Sequence, residues 1–194
     1  MEINASDVRG RAQVDRLAAT DPKAALKLAN TIAHPWYRCQ SITAAAEKLH
    51  GKAQLDALST ALAAAKEQIE PNRVVSVASW PVRVLAKVDP EKTAQWVAEL
   101  VAIAETEPHN LRRSHALQSL AFATSPYPEI LRLVIPALAE ALLGGRGPRI
   151  DRVIRDTFEL VRTTHPQLLQ PLALHHKANG QQKELLASFP GEEI

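Results

Sequence analysis

Arginine is the residue type whose spacing asks for an explanation in this chain. Arg38, Arg73, Arg112, Arg113, Arg149 and Arg152 each fall within the first turn or so after Pro35, Pro71, Pro108 or Pro148. A guanidinium presents a planar fork of donors that matches carboxylates and phosphates, so a row of them could meet an anionic groove or strand. Asp21, Glu70, Glu107, Asp151 and Asp156 offer the other reading, in which each arginine pairs within its own or the next unit and the row is a structural ladder. The helix dipole disfavours a cation at an N-terminus by about 0.3–1 kcal/mol. Some anion is therefore expected at each position, from the fold or from a partner. Adding Arg146, Arg155 and Arg162 makes the C-terminal half the densest part of the set. Between Pro108 and Pro166 there are eight Arg, no Lys and five acidic residues, a local excess of +3.

Other chemistry is sparse. His109 and His115 are six apart, His175 and His176 are adjacent and diverge on a helix, and no HExxH or Cys/His cluster occurs. Metal and cofactor are accordingly not expected. Cys39 is the only cysteine, so no internal disulfide forms, and its helical phase points it to the core as a buried structural thiol. Glu105 with Glu107, and Glu192 with Glu193, read as solvated charges rather than an acid–base pair. The glycine-rich stretch 144–147 lacks the Lys-Ser/Thr ending of a phosphate-binding loop and reads as a helix stop. No catalytic residue is assigned, and enzymatic activity is not the expectation. Trp36 and Tyr37, beside Arg38, are either interface aromatics or aromatics buried between repeats.

The elements that must carry these residues are helices. Gly occurs 7 times and aromatics make up 4% of the chain, too little for a many-stranded β fold. Pro35, Pro71, Pro108 and Pro148 recur at separations of 36, 37 and 40 residues. An interleaved series, Asp21-Pro22, Asp89-Pro90, Ser125-Pro126 and His165-Pro166, places a capping residue before a proline at the first helical position. Apolar spacing of three and four then predicts helices over 8–19, 22–33, 35–49, 52–69, 71–88, 90–105, 109–123, 127–143, 148–163 and 167–177, with a last turn over 181–188. Pro81 and Pro136 fall inside these spans and should kink or divide them. Alanine at the proposed contact positions, as in Ala44 to Ala46 and Ala63 to Ala65, lets helices approach closely.

The segments HPWYRCQSITAAAEKL, EPNRVVSVASWPVRVL, EPHNLRRSHALQSLAF and GPRIDRVIRDTFELV share a proline-containing turn, then Arg, then an apolar helical pattern. In this the chain resembles the HEAT-like repeat family in its short bacterial form. The resemblance implies a right-handed α-solenoid of about four to five antiparallel helix pairs. A single domain would span 1–194, with repeats at 22–50, 52–88, 90–124 and 126–163 and capping helices at 8–19 and 167–188. It also implies a non-enzymatic scaffold that binds a protein partner along its surface, with Arg38, Arg73, Arg112, Arg113, Arg149, Arg152, Trp36 and Tyr37 as candidate contacts. A second expectation is nucleic acid, because the arginine row resembles the way HEAT-like alkylpurine DNA glycosylases cradle a duplex, though their catalytic residues match no position here. A lyase-type subunit of the phycobilin-lyase kind stands third. The net charge of +2 does not by itself ask for nucleic acid. No apolar run approaches the roughly 18 residues a bilayer span needs. The lone cysteine and the absence of an apolar leader make the cytoplasm the expected location.

Overall fold

The computed structural model describes residues 4–177 and 179–188, and among these the backbone is all helix and connecting loop. The helices are α1 (Ala5–Ala18), α2 (Pro22–Ala29), α3 (Pro35–Ala46), α4 (Gly51–Lys66), α5 (Pro71–Leu85), α6 (Pro90–Glu105), α7 (Asn110–Thr124), α8 (Pro128–Leu131), α9 (Ile135–Gly144), α10 (Pro148–Thr164), α11 (Leu169–His175) and α12 (Asn179–Ala187). A single 3₁₀ turn, Pro166–Leu168, precedes α11. None of these helices is long and apolar enough to cross a membrane.

Local chemistry explains most starts. The Asp21 carboxylate accepts from the Ala24 N–H and that of Asp89 from the Lys92 N–H, both at 3.0 Å, ahead of a proline at the first helical position. His34 does the same for α3 through Nδ1, which accepts from the Trp36 N–H at 3.2 Å. Ser125 departs from the expected pattern. It closes α7, its hydroxyl donating back to the Phe122 carbonyl at 3.0 Å, and the next helix waits until Pro128.

The two internal prolines part company. Pro136 divides the expected 127–143 helix into α8 and α9, since it has no N–H for the carbonyl four residues back. Pro81 stays within a continuous α5. The carbonyl it leaves without an in-helix donor is that of Val77, and the Cys39 thiol of α3 donates to this oxygen at 3.6 Å. The lone cysteine thus satisfies the backbone group a proline orphaned. Burial pushes the Cys39 thiol up to about 12. The helices expected over 35–49, 52–69 and 71–88 end about a turn earlier. Their last turns tighten to three-residue bonds such as Leu49 N–H to Ala46, Gln68 N–H to Ala65 and Val88 N–H to Leu85.

Neighbouring helices pack in chain order. α1, α3, α5, α7 and α10 each lie against the next, forming a row. α2 packs on α1 and α3, α4 on α3 and α5, α6 on α5 and α7, and α9 on α7 and α10, so each fills the space behind two row helices. Between them Ile42, Leu58, Leu85, Leu100, Leu117, Leu138 and Ile154 are fully buried. Each such side chain stabilises by about 1.5–3 kcal/mol relative to exposure. Ala45, Ala46, Ala61, Ala65, Ala78 and Ala121 are buried at the contacts, where small side chains let the helix backbones approach. Polar clasps cross the joints: the Lys66 ammonium of α4 lies 2.6 Å from the Glu99 carboxylate of α6, and Arg83 of α5 lies 3.4 Å from Glu47 beside the end of α3.

Candidate partner-binding face

The row helices bury one face against the helices behind them and leave the other open. On α5 the open phase carries Arg73, Ser76, Trp80 and Arg83; on α7 it carries Arg112, His115, Ser119 and Phe122; on α10 it carries Arg149, Arg152, Asp156 and Glu159. These helices run side by side in near register. The Gln118 amide of α7 donates to the Asp156 carboxylate of α10 at 3.3 Å. Continuing that offset toward the N-termini brings the start of α7, with Arg112, beside the start of α10, with Arg149 and, just past the first turn, Arg152.

A groove of about 240 Å³ opens between α5 and α7, lined by Ser79, Trp80, Arg83, Ser119, Phe122 and Ala123. Small residues form its floor and the two aromatics its walls. Phe122 is 47% exposed, unusual for so large an apolar side chain. The guanidinium carbons of Arg11 and Arg83 stand 5.8 and 5.6 Å from the Trp80 ring centre, within cation–π range. Arg11 also lies 5.8 Å from the Tyr37 ring, so one side chain of α1 reaches across α3 to α5. On α3 beneath it this phase is covered: Gln40 and Ser41 are buried, and their Oε1 and Oγ have no hydrogen-bond partner.

The arginines expected to form one row divide into two groups. Arg38 donates from Nη1 to the carbonyls of Ile32 and Ala33 at 3.1 Å and pairs through Nη2 with Glu67. Arg73 pairs with Glu70 at 2.5 Å, and Arg113 donates to Asn110 Oδ1 at 2.6 Å. In Arg38 and Arg73 the compensating acceptor is a carboxylate of the chain itself; Arg113 has only the neutral Asn110 amide, and its Nε is buried without a partner. Arg112, Arg149 and Arg152 are exposed, and no hydrogen bond or ion pair among the described residues engages them. Trp36 and Tyr37 are half-buried against the core. Tyr37 meets the His34 ring edge-on at 5.7 Å.

Trp80, Arg83 and Phe122 were not among the residues the sequence singled out as contacts. The available signal was an aromatic in the polar phase of its helix, as Phe122 is in LQSLAFAT. Among the described residues no three His, Cys, Asp or Glu gather as metal ligands. Of the pair expected to be solvated, Glu105 is exposed but Glu107 is buried, its carboxylate accepting from the His109 N–H at 3.1 Å ahead of α7; the Glu192–Glu193 pair lies outside the described residues. A second opening of about 420 Å³ between α1 and the turn before α3 is lined by Ser6, Asp7, Arg9, Gly10 and neighbouring residues. Its one buried carboxylate, Asp7, is already committed to backbone N–H groups. Compared with protein-family models, characterised proteins and solved structures, the chain matches none.

Proposed function

We propose that this chain is a non-enzymatic scaffold, a solenoid of helix pairs that holds a segment of a protein partner on its open row face. The observation that carries this reading is the groove between Trp80 and Phe122. It is sized for a side chain, walled by the exposed Phe122 and the half-buried Trp80 and rimmed by Arg83, residue types enriched at the centres of protein interfaces. Stacked helix pairs supply the extended surface that such a segment needs.

Selection of a random peptide library on the full chain tests the proposal. Enriched peptides are expected, and their affinity should fall at least about tenfold on Phe122→Ser, a loss in line with removal of an anchoring contact. The substitution sits on an exposed wall, so the melting temperature should hardly move. No enrichment, or peptides that bind Phe122→Ser as well as the wild type, would sink the reading.

A further inference from the structure

We infer that the segment held on this face is acidic: an apolar side chain anchors between Trp80 and Phe122, and aspartates or glutamates beside it run over Arg112, Arg149 and Arg152. The inference rests on the groove acting as the anchor.

Its basis is which charges the fold satisfies and which it leaves. Arg38, Arg73 and Arg113 have acceptors supplied by the chain. Arg112 and Arg149 sit in the first turns of α7 and α10 and Arg152 just past that of α10, where the helix dipole adds to their positive field. Asp151 shares that first turn of α10 but is buried, and no ion pair among the described residues engages the three arginines. They share the open face with the groove. Phe122 lies ten residues along α7 from Arg112, about 15 Å at the helical rise. Crossing from α7 to α10 adds about 8–10 Å. An extended peptide of roughly seven residues spans that path at about 3.3 Å per residue. Carboxylates on such a peptide would take the forked donors that are open there.

Nucleic acid fits the same path less well. An aromatic that binds a single strand offers its ring face to a base, and the guanidinium groups of Arg11 and Arg83 already stand over the Trp80 ring. Asp156 and Glu159 also share the open phase of α10, against a continuous track for phosphates.

The experiment uses nonapeptides selected from a random library on the full chain, titrated against wild type, Phe122→Ser and the triple variant Arg112→Gln, Arg149→Gln, Arg152→Gln. Selected peptides are expected to pair one large apolar residue with a cluster of Asp or Glu. The triple variant should bind them at least about tenfold more weakly and with a flatter salt dependence. Enriched peptides that are uncharged, respond to Phe122→Ser and ignore the triple variant would overturn the acidic segment while leaving the groove in place. Peptides indifferent to Phe122→Ser would instead remove the groove reading itself. A random-sequence DNA 20-mer, single- or double-stranded, that binds more tightly than any selected peptide and is released by the triple variant would overturn the inference in favour of nucleic acid.

Discussion

Asp7 shows how a single carboxylate joins two distant parts of the chain. It accepts from the Asn4 N–H at 3.2 Å, completing a capping box on α1, and from the His34 N–H at 3.1 Å, fixing the turn that opens α3. Burial raises its pKa, but the backbone N–H groups of His34 and Asn4 outweigh it and hold the carboxyl below its ordinary value of 3.8. A carboxylate with a depressed folded pKa stabilises fully above its unfolded value and loses that contribution as pH falls through the folded one. Asp7→Asn should therefore melt below the wild type at about pH 6, and the gap should narrow as pH falls below the ordinary value of 3.8. Calorimetry at a series of pH values reads this directly, and a gap that stays constant into acid would contradict it. The sequence held no sign of the contact, because His34 is 27 residues away and only folding brings its N–H to the carboxylate. Arg38 differs in degree: its place in the row was legible, while its partner Glu67 was not.

At the scale of elements, the sequence announced starts better than ends. Prolines and aspartates mark N-termini with local chemistry that needs no tertiary information, as at Pro22, Pro35 and Pro90. Helix ends after Ala46, Lys66 and Leu85 carry no such mark, since apolar spacing continues into the tightened turns. Ser125 misled for a physical reason, its hydroxyl serving the helix before it rather than the one after. The stop at 144–147 was legible and has a sharp requirement. Gly147 adopts φ 109°, ψ 172° as the N-cap of α10, a conformation open essentially only to glycine. A Cβ there would meet nothing within 4 Å, so Gly147→Ala isolates backbone strain. It should destabilise by about 1–3 kcal/mol in urea unfolding. Gly180→Ala, in α12 and equally open, is the control and should be neutral or stabilising by up to about 1 kcal/mol. Equal effects at the two positions would show that the strain argument is wrong. The cluster Arg112, Arg149 and Arg152 was legible as part of a longer row, but which arginines lack a partner depends on side chains that folding alone brings together.

Across the whole molecule, contacts link neighbours in the row and the helices behind them, so stability should vary with position along the stack. α3, α5 and α7 have row neighbours on both flanks, whereas α12 packs on α11 at one end. Cys39, Val75, Val77 and Leu117 are fully buried in the central helices. Opening a central helix breaks two row contacts and the packing of the helix behind it, while opening α12 breaks little more than one. Amide hydrogen exchange should accordingly be slowest in α3, α5 and α7 and fastest in α12, with opening free energies differing by roughly 2 kcal/mol or more. Mass-spectrometric exchange at neutral pH resolves this by segment. One uniform protection level from α1 to α12 would mean that the stack opens only as a unit, contrary to contacts that run between neighbours. The groove lies between two of the slow helices, so the same experiment bears on function: its walls should stay formed in the free chain, and a bound segment should slow exchange at the margins more than at the anchor.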